Sequence, residues 1–150
     1  MNITYRRLEK GDNPVIAALI RTILEEFHID RPGTAYTDPT TDDLFSLFAE
    51  PRSVYYVAQR DSIIVGGCGI FPTDGLPGDC VELVKYYVLP RERGHGIGKK
   101  LMELCIEKAR QFGYNSLYLE TVPEAPHWHG RCFVFDERES LDPHLQEIVK

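Results

Sequence analysis

Alternating glycines between a β-rich segment and a helical pattern form the group of residues best suited to chemistry in this chain. Residues 91–98 read RERGHGIG, with two arginines ahead of the glycines. A strand, a glycine-rich turn and a helix present several backbone N–H groups and the positive end of a helix to one anion. Glycine lacks a Cβ, so the backbone can lie close to a phosphate. The pattern therefore predicts an anion site, and we expect it to hold a pyrophosphate.

Two well-known phosphate-binding arrangements do not fit this turn. A dinucleotide fingerprint requires G-x-G-x-x-G after the first strand of a βαβ unit. Here the glycines read G-x-G-x-G, they follow the fourth predicted strand, and the preceding hairpin is antiparallel. A P-loop requires a lysine followed by serine or threonine, whereas Gly98 is followed by Lys99 and Lys100. Phosphate binding remains the prediction, and the Rossmann and P-loop folds are excluded.

The strand before the turn and the helix after it belong to a series of predicted elements. Apolar runs rich in β-branched and aromatic residues predict strands over residues 3–8, 53–59, 63–70, 80–88 and 116–121. Helical periodicity predicts helices over residues 14–27 and 96–112. A short helix is predicted after residues 41–43, with its inward side chains at Leu44, Phe45, Leu47 and Phe48.

Local signals mark the ends of these elements. Asn13 followed by Pro14 is typical of a capped helix start, and Gly113 is typical of a left-handed helix end. The glycines of residues 66–69 indicate a bulge or close backbone packing. The order β-α-α-β-β-β-α-β, without repeats or linkers, predicts one α+β domain over residues 1–150 with a mixed sheet.

Composition excludes several classes of function. The chain has 150 residues, a net charge of −6 and a pI of about 5.3, which argues against a general nucleic-acid-binding protein. The apolar run at residues 15–20 is too short for a membrane span or a signal segment, so we expect a cytoplasmic protein. Four cysteines without CxxC spacing indicate reduced core thiols.

The turn and the strand before it resemble one enzyme family. Residues 93–98, RGHGIG, match the R/Q-x-x-G-x-G/A signature of the GNAT superfamily of acetyl-CoA-dependent N-acetyltransferases. The resemblance runs from Glu82 through Leu89-Pro90 to residues 119–121, and the order of elements over residues 1–121 is also similar. It implies a GNAT-like α+β fold, with a mixed, mostly antiparallel sheet flanked by helices. The tail at residues 122–150 does not match the family and is atypical.

The resemblance also implies acetyl-CoA as co-substrate. The pyrophosphate would lie on the turn, at Arg93, Gly94, His95, Gly96, Ile97, Gly98 and Lys99. The pantetheine arm would pair with the preceding strand over Tyr86, Tyr87 and Val88. A backbone N–H of Tyr87 or Val88 would polarise the thioester carbonyl. We expect the His95 side chain to be solvated, and Arg91 and Arg93 to add positive charge near the phosphates.

Direct attack by an amine requires a base, and Glu82 is the first candidate. It lies where family members with a glutamate base carry that residue, and its apolar strand would desolvate the carboxylate and raise its pKa. A structural ion pair with Lys85 or an arginine is the alternative. Glu120 on the neighbouring strand is the second candidate. It would bind the acceptor ammonium group, share the base role, or be an ordinary carboxylate at a strand end.

The tail departs from the family pattern. The family continues with a helix of the form A-x-x-L-Y-x-x-x-G-F whose tyrosine protonates the departing thiolate, but no tyrosine follows Tyr118 here. Tyr86, Tyr87 and Tyr118 are substitute candidates. Residues 131–135 are compatible with a short strand, and Asp142-Pro143 with the start of a final helical turn.

Three interpretations of the tail remain open: a native variant, a segment that drives homodimerisation, or the product of a reading frame shifted near codon 124. His127, His129 and Cys132 form an H-x-H-x-x-C cluster without an evident fourth partner, so we expect no metal site.

The predicted function is transfer of an acetyl group from acetyl-CoA to a primary amine of a small molecule or peptide. We expect no nucleic-acid or membrane partner. One alternative is a coenzyme A-binding module with weakened turnover and a sensor or partner-binding role, and another is a structural or dimerisation role without cofactor. The loops at residues 29–40 and 71–79 are expected to shape the acceptor site with the tail, although residues 29–40 are equally compatible with a plain connector.

Overall fold

The computed structural model describes residues 2–119 together with two further strands at residues 131–134 and 148–149. The strands are β1 (Ile3–Arg7), β2 (Val54–Arg60), β3 (Ile63–Phe71), β4 (Cys80–Val88), β5 (Ser116–Leu119), β6 (Arg131–Val134) and β7 (Ile148–Val149). The helices are α1 (Asn13–Glu26), α2 (Leu44–Leu47) and α3 (Ile97–Gln111). The predicted order of elements from β1 to β5 is confirmed. The tail contributes β6, close to its predicted position, and β7, which the sequence did not predict.

The described strands form one sheet. Their order is β1-β2-β3-β4-β5-β6, and β7 pairs with β4 outside this path. Among the described strands β4 and β5 are parallel, and the other neighbours are antiparallel. The predicted mixed, mostly antiparallel sheet is therefore confirmed. Because β4 and β5 run in the same direction, the chain must return along one face of the sheet between them. The helix α3 forms this crossover connection.

Different helices cover the two faces of the sheet. Ile20 and Ile23 of α1 pack on the face that carries Val57 of β2. Leu101 and Cys105 of α3 pack on the opposite face, which carries the next residue of β2, Ala58. Successive strand residues point to opposite faces, so the apolar residues of β2 contribute to both layers of the core. The turn between β4 and α3 therefore lies where the chain leaves the sheet for the α3 layer.

Two local predictions about α1 and α2 are wrong. Asn13 is the first residue of α1 and Asp12 occupies the N-cap position, without a capping bond from its side chain. The Asn13 side chain instead donates to Asp43 Oδ1 at 2.8 Å and accepts from the Phe45 N–H at 3.0 Å, so it connects the two helices. Phe45, predicted to face inward, is 41% exposed because the four-residue helix α2 buries Leu44 instead.

β4 contains a bulge at Lys85. Val84 lies opposite Gly69 and Tyr87 lies opposite Gly67, so β4 uses one residue more than β3 between these two pairs. Lys85 has a φ of +52°, in the left-handed region that a residue with a Cβ seldom adopts. The irregularity predicted from the glycines of residues 66–69 is thereby confirmed, with the extra residue in the partner strand.

The bulge reverses the alternation of side chains along β4. Before it, the odd-numbered residues face α3, and after it the even-numbered residues do so, at Val81, Leu83, Tyr86 and Val88. Tyr87 consequently faces α1. An extra residue of this kind moves every later side chain to the other face of the sheet. The last three residues of β4 thus owe their orientation to Lys85.

Gly67 and Gly69 make room for the buried ring of Tyr55. A Cβ on Gly67 would lie 2.5 Å from Tyr55 Oη and 2.6 Å from Tyr55 Cε1. A Cβ on Gly69 would lie 2.7 Å from Tyr55 Cδ2 and 2.8 Å from the carbonyl oxygen of Val54. Real Cβ atoms do not approach other heavy atoms this closely, so the ring and these glycines fit together as one unit.

We expect Gly67→Ala to lower the free energy of unfolding by about 1–3 kcal/mol, the usual effect of inserting a methyl group into a packed core. Urea denaturation followed by circular dichroism measures this change. Gly11→Ala is the matched control, because a Cβ there meets no atom of the described residues within 4 Å. Equal midpoints for the two variants would contradict the close packing of Tyr55 on Gly67.

Candidate active site

The glycine-rich turn leads from β4 into α3 through two left-handed residues. Gly94 has a φ of +80° and Gly96 a φ of +85°. Gly96 is also the N-cap residue of α3. A Cβ built on either glycine would meet no atom of the described residues within 4 Å, so that part of the chain leaves this side of the turn open. The positive φ is a sufficient reason for glycine at both positions. The close approach of a phosphate, which the sequence predicts, would be a second reason.

Several N–H groups of the turn have no acceptor in the described part of the chain. Arg93 donates its backbone N–H to the carbonyl of Pro90 at 3.3 Å. Among residues 2–119, no oxygen accepts a hydrogen bond from the backbone N–H of Gly94, His95 or Gly96. The first N–H groups of α3, from Ile97 onward, also lack partners within the helix. This arrangement has the donors and the helix end that an anion site needs.

The guanidinium of Arg93 fixes the start of the turn. Its Nε donates to the carbonyl oxygen of Val88 at 3.0 Å, and its two terminal nitrogens donate to the Glu26 carboxylate at 3.0 and 2.9 Å. It also lies 5.2 Å from the centre of the Phe27 ring. The side chain thus joins the end of β4 to the end of α1. Its positive charge is shared with Glu26, and a contact with phosphate stays a prediction.

A buried ion pair lies directly before the turn. Glu92 is 6% exposed, and Arg60 of β2 donates three hydrogen bonds to its carboxylate at 2.6 to 3.1 Å. The hydrogen bonding from Arg60 lowers the pKa of Glu92, so the carboxylate is charged at neutral pH. Arg60 neutralises a negative charge that would otherwise oppose an anion on the turn. No pattern in the sequence predicted this pair.

The edge of β4 that faces β5 is divided at the bulge. The parallel pairing with β5 ends at Leu83 and Leu119. Beyond the bulge the same edge pairs with β7, with Tyr86 opposite Val149 and Tyr87 opposite Ile148. The stretch predicted for pantetheine is therefore a strand edge that can form a ladder. In this structure two residues of the tail pair with it.

The side chains of this stretch are buried. Tyr86 and Val88 pack under α3, and Tyr87 packs under α1. Burial raises the pKa of the Tyr87 phenol above its ordinary value, so the hydroxyl stays protonated at neutral pH. What residues 86–88 present at the strand edge is their backbone, which is the part predicted to act on the thioester.

Glu82 lies on the face of β4 that α1 and α2 cover, since its neighbours Val81 and Leu83 face α3. It is 8% exposed, and the hydroxyl of Thr73 donates to its Oε1 at 2.6 Å. In the sheet it lies opposite Tyr118 of β5. The predicted base is therefore a buried carboxylate whose orientation a hydrogen bond fixes. Thr73 was not predicted, because the loop at residues 71–79 carries no motif.

The other predicted site residues fall into two groups. His95 and Lys99 are exposed at the turn, as expected for His95, whereas Ile97 and Gly98 are buried at the start of α3. Glu120, the side chains of the H-x-H-x-x-C cluster, and the helical turn predicted from Asp142-Pro143 lie outside the described residues. Within the described residues there is no group of three or more His, Cys, Asp or Glu side chains that could hold a metal ion.

Comparison with known proteins shows the family to which the chain belongs. The acetyltransferase (GNAT) family matches residues 18–132. The uncharacterized N-acetyltransferase YjgM of Escherichia coli is 40% identical over 118 residues, which are 78% of this chain and 71% of that protein. An IAA acetyltransferase of Azospirillum brasilense is 37% identical over 123 residues, 80% of this chain and 74% of that protein. The chain belongs to the acetyltransferase (GNAT) family and is an acetyltransferase enzyme.

Solved structures show the same fold. An acetyltransferase of the GNAT family from Staphylococcus aureus superposes with a TM-score of 0.72 at 21% identity, over 82% of this chain and 76% of that chain. A predicted acetyltransferase from Clostridium acetobutylicum, crystallised with acetyl-CoA, has a TM-score of 0.65 at 18% identity, over 77% of this chain and 79% of that chain. In the described residues, no helix has both the length and the apolar character needed to cross a membrane.

Proposed function

We propose that this chain, acting as one domain over residues 1–150 in the cytoplasm, transfers an acetyl group from acetyl-CoA to a primary amine of a small molecule or peptide. The observation that carries the proposal is the turn between β4 and α3. There the N–H groups of residues 94–96 have no acceptor among residues 2–119, and two left-handed glycines leave the surface open. Membership of the acetyltransferase (GNAT) family supports the same conclusion.

Coenzyme A is proposed to lie along two surfaces of the chain. The turn at residues 93–99 would hold the pyrophosphate through backbone N–H groups and the positive end of α3. The edge of β4 at residues 86–88 would pair with the amide groups of the pantetheine arm, as an added strand does. Acetyl-CoA supplies a thioester carbonyl as the acyl donor. The backbone N–H of Tyr87 or Val88 donates a hydrogen bond to the carbonyl oxygen, where negative charge develops.

Glu82 takes the proton of the attacking amine in this proposal. Its carboxylate is buried within β4, where the dielectric is low and proton transfer to a fixed base is effective. The hydroxyl of Thr73 donates to one carboxylate oxygen at 2.6 Å and fixes the orientation of the group. Glu120, the residue after Leu119 in the sequence, is proposed to bind the acceptor ammonium group. The loops at residues 29–40 and 71–79 are proposed to shape the acceptor site with the tail.

The departing thiolate is proposed to leave without the tyrosine that the family pattern places in a helix after the fifth strand. No tyrosine follows Tyr118 in the sequence. The reference pKa of a thiol is about 8.5, so a thiolate is a tolerable leaving group near neutral pH. General acid catalysis commonly contributes about 10²–10⁴ in rate, and we expect the loss here to lie at the low end. Tyr118, opposite Glu82 in the sheet, is one candidate donor.

Release of free thiol from acetyl-CoA, measured with a panel of small amines and amine-terminated peptides, tests the proposed function. We expect thiol release that depends on at least one amine, with the acetylated product identified by mass spectrometry. Calorimetric titration with coenzyme A accompanies the assay. Tight coenzyme A binding without turnover on any amine would favour a binding module over an enzyme. The absence of a tyrosine after Tyr118 in the sequence is the observation that supports this alternative. Absence of binding would overturn the proposal.

Coenzyme A has to compete with β7 if pantetheine pairs with Tyr86 and Tyr87, because β7 pairs with the same residues. We expect removal of residues 147–150 to raise the affinity for coenzyme A about tenfold, since one or two backbone hydrogen bonds no longer need to be broken. Removal of Lys150 alone is the control, because it leaves both residues of β7. Unchanged or weaker affinity in the shorter chain would show that the cofactor does not use this edge.

A further inference from the structure

Tyr55 of β2 is joined to the bulge in β4 by a buried hydrogen bond. Its hydroxyl donates to the carbonyl oxygen of Lys85 at 2.7 Å, and the residue is 2% exposed. Burial raises the pKa of this phenol well above its ordinary value, so the hydroxyl remains a donor. The ring reaches Lys85 by crossing β3 at Gly67 and Gly69, where any Cβ would collide with it. Three strands thus contribute to one contact.

The hydrogen bond from Tyr55 is made to a residue whose backbone conformation is unfavourable. Lys85 has a φ of +52°, in the left-handed region where a residue with a Cβ is sterically disfavoured. An ordinary extended conformation at Lys85 would remove the bulge and return the following residues to the other alternation. Tyr55 bonds to the carbonyl oxygen of Lys85 in the bulged form, so it stabilises that form over the regular strand.

We propose that Tyr55 is a positioning residue for acyl transfer, which acts by holding the bulge that orients Tyr86, Tyr87 and Val88. This inference rests on the proposed function, because those three residues form the edge assigned to pantetheine and to the thioester carbonyl. Tyr55 itself contacts no substrate: it lies on β2, on the far side of β3 from that edge. Its effect reaches the site through the backbone of Lys85.

Tyr55→Phe tests the inference because it keeps the ring and removes the hydroxyl. Tyr114→Phe is the matched control. Tyr114 is also buried, and its hydroxyl donates at 2.9 Å to the carbonyl of Arg52, another residue with a left-handed φ, of +61°. Both variants lose one buried hydrogen bond of the same type, so both should lower the unfolding midpoint similarly. Only Tyr55→Phe removes a bond to β4.

We expect Tyr55→Phe to lower both the affinity for coenzyme A and kcat/KM for acetyl-CoA about tenfold. This is the effect of losing one buried hydrogen bond that holds the binding conformation. Tyr114→Phe should change both by less than about twofold. Hydrogen exchange of the amides of Tyr86, Tyr87 and Val88 should be faster in Tyr55→Phe than in Tyr114→Phe. Adding Lys85→Gly to Tyr55→Phe should recover part of the affinity, since glycine adopts a positive φ without a steric cost.

Equal coenzyme A affinities for Tyr55→Phe and Tyr114→Phe, in a background where the unaltered chain binds, would overturn the inference and leave the proposed function standing. Failure of the unaltered chain to bind coenzyme A would overturn the proposed function instead. In that case the amide exchange still decides whether Tyr55 holds the bulge. Equal exchange at residues 86–88 in the two variants would show that it does not.

Discussion

Gly96→Glu is expected to lower the affinity for coenzyme A by at least about 100-fold while the chain stays folded. Gly96 has a φ of +85° and is the N-cap residue of α3, at the centre of the turn assigned to the pyrophosphate. The substitution places a carboxylate beside a doubly charged ligand and strains the backbone that presents the N–H donors. Loss of one or two charge-assisted hydrogen bonds, about 1.5–3 kcal/mol each, already accounts for a change of this size.

Calorimetric titration with coenzyme A measures this effect, and circular dichroism confirms folding. Gly33→Glu is the matched control, because Gly33 has a φ of +87° and a Cβ there would also meet no atom within 4 Å among the residues that the structure describes. Both variants add one negative charge and place a Cβ at a similar positive φ, but only Gly96 belongs to the turn assigned to the pyrophosphate. Coenzyme A affinity equal to that of the unaltered chain in Gly96→Glu would show that the pyrophosphate lies elsewhere.

Gly96→Ala separates strain from charge repulsion. Gly113 lies at the opposite end of α3 and has a φ of +88°, so Gly113→Ala imposes a similar backbone cost. We expect both alanine variants to lose about 1 kcal/mol of stability. Coenzyme A affinity should fall in Gly96→Ala and stay unchanged in Gly113→Ala.

The elements of this fold could be predicted because local patterns determine them. The apolar run at residues 80–88 has the bounds of β4 in the structure, and Gly113 adopts the left-handed conformation expected at a helix end. The three glycines of the turn predicted a tight turn, and two of them, Gly94 and Gly96, adopt a positive φ; the anion site stays a prediction. A strand, a tight turn and a helix start are properties of consecutive residues, which a sequence displays directly.

The contacts that complete the site could not be predicted, because they join residues that are distant in the chain. Tyr55 reaches Lys85 across 30 residues, and Arg60 reaches Glu92 across 32. Nothing in the run VELVKYYV distinguishes Lys85 as the bulged residue. The signal that existed was the cluster of glycines at residues 66–69, which indicated close packing without naming its partner.

β7 shows another reason for a missed element. Two residues, Ile148 and Val149, are too few for any periodicity to mark them as a strand, and their pairing depends on an edge of β4 that the β4–β5 ladder leaves open. Phe45 shows the reverse error. It was predicted to face inward with Leu44 and Leu47, but this helix of four residues buries Leu44 and leaves Phe45 exposed.

Glu82→Gln is expected to lower kcat by about 10²–10³ and to leave the affinity for coenzyme A within about twofold of its original value. The amide has nearly the shape of the carboxylate and still accepts the hydrogen bond from Thr73, so the local packing remains. It cannot accept the proton of the attacking amine. A loss in kcat at unchanged coenzyme A affinity is the pattern expected when an interaction made in the transition state is removed.

Steady-state kinetics with saturating amine and acetyl-CoA measure this loss, and Glu103→Gln, at an exposed position of α3, controls for the removal of one negative charge. Thr73→Val gives the intermediate case. It keeps Glu82 as a base but removes the bond that orients it, so we expect kcat to fall about tenfold, as for one lost hydrogen bond to a charged group. If Glu82→Gln retains kcat while Thr73→Val also has no effect, the base lies outside β4, and Glu120 becomes the next residue to substitute.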